Sequence, residues 1–520
     1  AVDEWIQRYG IPEPHPIPRG SYAAELDFSL QAYLRSLWIE EESIWWSSRG
    51  AGPVLCPKGY PPNHLYDLLL GAALTDDAEL AAQCRALADR VKGLAGIRAL
   101  AQDEGLRFGE AAEAQIASGH SSAASLIAGM GPDGGWRFDA DQEGTGPFVG
   151  MDYHELGADN ALELGLCANR AATLIRHALL TADPAIYQAA LRPLELMRQF
   201  RVPRAAQVWE VPVHAPDILA AADAVDAYVA AYGYSGDKAW LADAKRWARA
   251  GLPFVYLWSD DSKPFLLYGS IPVFGASWNK WSWFGRPVQW NGLRYARAVH
   301  RLAEYDDSLP WRKIAEGITR SAQYQQSTDD DDIALWPDSI SAIDGSKAAW
   351  LFGPNLILWN ALPFMGLQPD PRTQVLRTTA GRIHVTATAE VSRPELQGQA
   401  LRFRVRYPKG DQGLVVVAGV TEPSDVVANE RDLQRVPEPQ ALFGRDEPAW
   451  CYVASDARAM IWFPTAGRQL VRLDGVASKT VQVLPVTLRT IDFGFDQGVE
   501  GWVATNGLEP LQVRDGMLVL

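Results

Sequence analysis

Positive charge is scarce in this sequence. Forty-eight Lys and Arg stand against 63 Asp and Glu, a formal net charge of −15. That balance excludes nucleic acid or an anionic membrane as the main partner, because both need a basic footprint. No apolar run approaches the roughly 18–20 residues that span a bilayer. The four cysteines, Cys56, Cys84, Cys167 and Cys451, show no C-x-x-C spacing and leave the redox compartment open. No His/Cys cluster has zinc spacing. Neither a G-x-x-x-x-G-K-[ST] loop nor a dinucleotide fingerprint occurs, so no nucleotide cofactor is implied. With 48% hydrophobic and 21% charged residues, disorder is not expected, and 520 residues suffice for two or three domains.

Tryptophan, by contrast, is abundant. Seventeen of the 20 Trp precede residue 366, several of them in Gly/Pro-rich loops where a core cannot use them all. Aromatic faces exposed in a groove suit the C–H faces of sugar rings, although a single Trp is more often plain core. The start, Ala1-Val2-Asp3-Glu4-Trp5, has neither an initiator Met nor a basic-then-apolar leader. It is read as the beginning of a mature or trimmed chain, expected to be secreted or periplasmic, with a trimmed cytoplasmic chain as the alternative.

Residues 20 to 365 carry two alternating kinds of helix and no convincing strand ladder. Segments such as 157–180 and 215–232 are apolar nearly all round and rich in small residues, which predicts burial on most faces. Segment 237–250 instead puts Trp240, Leu241, Ala244, Trp247 and Ala248 on one face, with Lys and Arg opposite. Asp183-Pro184 and Ser235-Gly236-Asp237 are start signals for outer helices of this second kind. Apolar helices starting near 24, 110, 157, 215, 289 and 350 amount to about six hairpins. An all-α (α/α)6 toroid over 1–368 is the expected fold, with an open solenoid as its competitor. The pattern changes after 366. Residues 382–391, 401–407, 413–420 and 460–463 alternate or run apolar at strand length, so 375–490 is expected to be an antiparallel β-sandwich. Residues 491–520 look like the opening strands of a further, jelly-roll-like module that continues beyond Leu520.

Four chemically loaded loops precede the buried helices and would meet at one rim of a toroid. They are 134–155, ending Asp152-Tyr153-His154-Glu155; 207–217; 275–290, with four Trp and Arg286; and 336–350. Glycosidic hydrolysis needs a carboxylic acid to protonate the leaving oxygen and a carboxylate to activate water or attack the sugar, and apolar surroundings favour the acid. Glu210, between Trp209 and Val211-Pro212, fits the acid best. Asp152 and Glu155 are its candidate catalytic partners, with Asp338 in reserve. Trp136, Tyr153, His154, Trp209, His214, Trp278, Trp281, Trp283, Arg286, Trp290 and Asp338 are expected to line the substrate. Asp217 and Asp159 stand where helix caps belong.

The outer-helix phrase Gly236-Asp237-Lys238-Ala239-Trp240-Leu241-x-x-Ala244, within the alternating pattern, resembles the six-hairpin glycosidases and toroid-fold polysaccharide lyases. The resemblance covers the helical part only and transfers no catalytic residue. It implies a glycoside hydrolase acting on a polysaccharide or oligosaccharide, of inverting type. The lyase alternative, β-elimination on a uronate polymer, would draw on Tyr153, His154, Asn160, His214 and Arg286, but the helical part is not visibly basic as a polyanion cleft should be. A non-catalytic glycan-binding protein would keep the aromatics and lose the acid pair. Asp133-Gly134-Gly135-Trp136 and the Asp329–Asp332 run hint at a terpene cyclase, but that Trp motif occurs once. Asp139-x-Asp141-x-Glu143-Gly144 begins like a calcium loop, yet its twelfth position is Gly150 rather than a bidentate Glu. No cofactor is therefore expected, with a structural calcium ion as the open exception, and the chain is expected to be a monomer.

Overall fold

The computed structural model describes residues 2–96, 109, 111–145, 148–274, 283, 285–368, 370–408, 411–480, 512–514 and 517–519. Among these the helices are α1 (Val2–Tyr9), α2 (Tyr22–Gln31), α3 (Pro62–Leu74), α4 (Ala78–Ala95), α5 (Ala112–Ala128), α6 (Leu164–Thr181), α7 (Pro184–Met197), α8 (Ile218–Ser235), α9 (Lys238–Gly251), α10 (Gln289–Leu302), α11 (Trp311–Gln325) and α12 (Asn355–Ala361).

The two helix types read from the sequence take different places. α8 packs between α6 and α10, while α7, α9 and α11 back α6, α8 and α10 in turn. Alanines make the inner contacts possible. Ala220, Ala221, Ala224, Ala227 and Ala231 of α8 are wholly buried, and their short side chains let neighbouring backbones approach. α9 buries Trp240, Ala244, Trp247, Ala248 and Gly251 at helical spacing and turns its Lys and Arg outward. Each large apolar side chain so covered contributes about 1.5–3 kcal/mol. The expected caps are present. The Asp183 carboxylate accepts from Ala185 and Ile186 N–H with Pro184 at the first helical position, and that of Asp237 accepts from Ala239 N–H.

Asp217 does more than cap. Its carboxylate takes the N–H of Ala220 in α8 (2.7 Å) and that of Ala206 in the preceding loop (3.1 Å). Removing this wholly buried acceptor leaves two donors to find partners. Asp217→Ala is therefore expected to cost about 1–2 kcal/mol, seen as a lower urea midpoint, whereas Asp217→Asn keeps most of the cap.

Two departures from the sequence reading bear on the site. The apolar segment expected to be helical from 157 becomes α6 only at Leu164. Residues ahead of it bond to a neighbouring loop instead, Asn160 N–H to Phe138 O and Phe138 N–H to Ala161 O, both 2.9 Å. Asn160 itself takes a left-handed φ of 62°, a conformation Asn tolerates. Short ladders also occur where none was expected. Trp38–Ile39, Ile44–Trp46 and Lys58–Gly59 form one three-stranded sheet, and Ser48–Arg49, Leu351–Phe352 and Trp336–Pro337 form another.

Beyond residue 370 the chain is strand-rich. One six-stranded sheet runs in the order 434–435, 449–453, 458–463, 413–418, 381–387, 372–378. The second runs 395–397, 400–406, 468–474, 425–428, 431–432, with 390–391 also paired to 400–406. Ile383, Val415 and Ile461 of the first sheet share a core with Leu401, Phe403 and Leu473 of the second. The strand Gly413–Ala418 is buried at every position, and its second face explains why it is apolar throughout. Leu414 and Val416, with Met460 and Trp462, pack on Ala112 and Ile116 of α5 and Leu180 of α6. At the edge of this contact Arg458, 3% exposed, donates to both oxygens of Glu113 (2.7 and 3.0 Å) and to Asp456 (2.7 Å). Of the expected third module, an antiparallel pair, Gln512–Arg514 with Met517–Val519, is described; the rest of 491–520 lies outside the described residues.

Candidate active site

Four loops meet at the N-terminal ends of the inner helices, and backbone bonds tie them together. In the loop before α8, Val213 N–H reaches Leu156 O in the loop before α6 (2.8 Å), and the Tyr153 hydroxyl donates to Trp209 O (3.3 Å). Gly165 at the start of α6 allows the close approach: its N–H bonds Arg204 O at 2.8 Å, and a Cβ there would lie 2.3 Å from Ala206 N. In the loop before α12, Ile340 N–H bonds Pro287 O (3.1 Å) and Ala342 N–H bonds Gly285 O (2.8 Å), joining it to the loop before α10. Buried amides lock the middle. Gln207 donates to Pro272 O (3.2 Å) and accepts from Asn291 Nδ2 (3.0 Å), so the 198–217 loop is anchored on α10.

This framework brings Glu210, Asp338, Trp209 and Trp290 together. The rings of Trp209 and Trp290 stack at 6.3 Å and 28°. Each of these tryptophans bears on a carboxyl group and opposes its rise in proton affinity, Trp209 on Glu210 and Trp290 on Asp338. Burial raises Glu210, and the charge of Asp338 raises it further, to about 7 against the Trp209 hydrogen bond. Burial raises Asp338 to about 6, opposed by the bond from Trp290. Asp338 thus ionises first and its charge then burdens Glu210, which is still neutral while Asp338 titrates. Between about pH 6 and pH 7 the pair holds one proton, chiefly on Glu210. Two carboxyls so separated can act as acid and base on one substrate.

The other candidates take varied places. Asp152 and Glu155 are exposed. Asp152 caps the turn Tyr153–Glu155 and holds the His154 ring and backbone N–H, each at 3.0 Å, keeping its carboxyl below the usual range. His154 is also 3.5 Å from Asp141. Tyr153 is buried beneath the site. His214 is exposed and turned to Glu163 (3.0 Å), which Arg204 also approaches at 3.6 Å. Trp136 is 6% exposed, packed in the helical core with its N–H on Leu126 O (3.2 Å), so it forms no wall of the site. Arg286 contacts Ser339 Oγ at 3.4 Å, one residue from Asp338. Trp283 is partly buried in the same loop; Trp278 and Trp281 lie outside the described residues. Gln207 and Asn291, which hold the loops in place, carry no motif that a sequence could announce. Among the described residues no group of three or more His, Cys, Asp or Glu side chains converges as metal ligands would.

No family model matches the sequence, and no curated protein matches it. The structure is similar to solved structures of glycan-acting enzymes. An unsaturated glucuronyl hydrolase from Bacillus sp. GL1 is 14% identical, with 65% of this chain and 94% of that one covered and a TM-score of 0.41. An unsaturated glucuronyl hydrolase from Streptococcus agalactiae is 11% identical, with 68% and 98% covered and a TM-score of 0.38. An α-mannanase from Bacteroides thetaiotaomicron is 11% identical, with 67% and 85% covered and a TM-score of 0.30. These likenesses assign no residue and no reaction to this chain.

Proposed function

We propose that this chain is a glycoside hydrolase acting on an oligosaccharide or polysaccharide, with Glu210 as general acid and Asp338 as the carboxylate that activates water or the sugar. One observation carries the reading: two half-buried carboxyls, electrostatically coupled, each steadied by one of two stacked tryptophans and separated in proton affinity. Glu210 keeps its proton where Asp338 has lost one, which is the division of labour that glycosidic cleavage requires. The base role goes to Asp338 rather than to Asp152 or Glu155, whose side chains are exposed to water. Trp209, Trp290 and Trp283 supply aromatic faces for a sugar ring, and Arg286 a donor beside Asp338. The same reading takes the helical part as a closed (α/α)6 toroid, the two sheets as a sandwich bracing it, and the protein as a monomer acting outside the cytoplasm.

The lyase alternative loses ground on the residues it needs. The Tyr153 hydroxyl is spent on a backbone carbonyl, the His154 ring sits on Asp152, and that of His214 on Glu163. Products decide between the two. A hydrolase acting on a panel of neutral and uronic glycans yields new reducing ends without the ultraviolet absorbance of an unsaturated uronate; that absorbance among the products means elimination, and binding with no product means a lectin.

Activity must rise as Asp338 ionises through about pH 6 and fall as Glu210 ionises through about pH 7, so kcat/KM should peak in between. Trp290→Phe keeps the ring and removes the donor that lowers Asp338. The acidic limb is then expected to move to higher pH by about 0.5–1 unit, on the scale of one hydrogen bond, while the basic limb moves less. An unmoved acidic limb would place the base elsewhere.

A further inference from the structure

Away from that rim lies a cavity of about 670 Å³, walled by α5, α6, α8, α10 and the first strands after residue 370. Along α8, Asp226 in this cavity is nine residues from Asp217 at the rim, about 14 Å at 1.5 Å per residue. The catalytic reading uses none of its residues.

Five arginines line it: Arg176, Arg294, Arg297, Arg301 and Arg372. Their acidic partners are few and shared. Asp226 accepts from Arg176 and Arg301, and Asp370 accepts from Arg297 (2.7 Å) and from Arg301 (2.6 Å). Arg372 meets Glu304 at 2.7 Å, and the charge of Arg294 bears on Asp223. Five fixed positive charges thus face four carboxyls. The Nε groups of Arg301 and Arg372 are buried without an acceptor, a state that costs free energy until something fills it. His177 adds no charge of its own; its ring is neutral, turned to His120 at 2.9 Å and pushed down to about 4 mainly by burial.

We propose that this cavity is a second ligand site, which binds a small organic anion carrying a phosphate or carboxylate through the arginines of α10 and Arg372. The volume lies in the usual range for small-molecule sites, well beyond a lone ion, and arginine forks match the geometry of both oxyanions. The lining hydroxyls of Ser118, Thr173 and Thr373 suit a hydroxylated body such as a sugar. The site is independent of the hydrolase reading.

Calorimetric titration of the full chain at constant ionic strength tests it, with inorganic phosphate, glucuronate and glucose as probes. Phosphate or glucuronate is expected to bind with one-site stoichiometry and glucose not; which anion binds tells a phosphorylated ligand from a carboxylated one. Arg294 is exposed, so its replacement spares the core, and thermal melts verify folding. Arg294→Glu is expected to weaken the anion at least about tenfold, the scale of a charge-assisted bond, and Arg294→Lys to retain it within a few-fold. Glu210→Gln leaves this binding unchanged. The proposal fails if neither anion binds, if Arg294→Glu binds as the wild type does, or if Glu210→Gln abolishes binding.

Discussion

Glu210→Gln is expected to lower kcat on a natural glycan by about 10²–10⁴-fold, the range a positioned general acid supplies, with KM changed only a few-fold. Glutamine keeps the shape of the side chain and can still accept from Trp209, but it has no proton to give. The loss should depend on the leaving group. A nitrophenyl glycoside, whose phenolate departs without protonation, should lose far less than an alkyl-linked sugar, and equal losses on both would refute the assignment as acid. Stability provides a second reading with a definite sign. In the folded chain Glu210 stays protonated up to about pH 7, whereas in the unfolded chain it ionises near 4.3. Between those values the folded state binds the extra proton, so folding stability falls as pH rises through this window. Above it wild type holds a carboxylate in a desolvated site and the Gln variant does not. The variant is thus expected to melt higher than wild type at pH 8, an outcome that unfolding of the mutant could not produce.

Asp338→Asn should be of comparable severity, about 10³-fold in kcat, because the carboxylate that activates water or meets the sugar is gone. Its residual activity carries the sharper test. Burial holds the proton on Glu210 and the charge of Asp338 adds to the hold; without that charge Glu210 gives up its proton more readily. The basic limb of the residual pH profile should therefore shift toward acid, and the acidic limb due to Asp338 should vanish. A basic limb that stays near 7 would show that burial alone raises Glu210 and that the two groups do not share a substrate.

The sequence was most informative where periodicity is local. The amphipathic face of α9, the caps Asp183 and Asp237 and the change to strands near 370 depend on residues a few positions apart. Glu210 is singled out for a similar reason, since its apolar neighbours are adjacent in the chain. The partner proposed for it, Asp338, is harder to single out. Asp152 and Glu155 stood out as acids just ahead of a helix expected at 157, but the chain spends 157–163 bonding to the Phe138 loop and starts α6 only at 164. The loop that carries Asp338 is fixed where Ile340 and Ala342 bond to Pro287 and Gly285, a register between two irregular loops that no periodicity encodes. Buried amides such as Gln207 and Asn291 are equally silent in sequence. Trp136 illustrates the opposite hazard, a tryptophan in a Gly-rich loop that serves the core.

The strand Gly413–Ala418 is covered on both sides, by the second sheet and by α5 and α6, and Arg458 pairs with one acid from each part, Glu113 and Asp456. The β region is therefore no detachable appendage. A chain ended near residue 370 would bare the apolar flank of α5, leave Glu113 without its guanidinium and open the arginine cavity on the side of Arg372 and Thr373. The two parts therefore stabilise each other, and removing either is expected to lower the melting temperature of the one that remains.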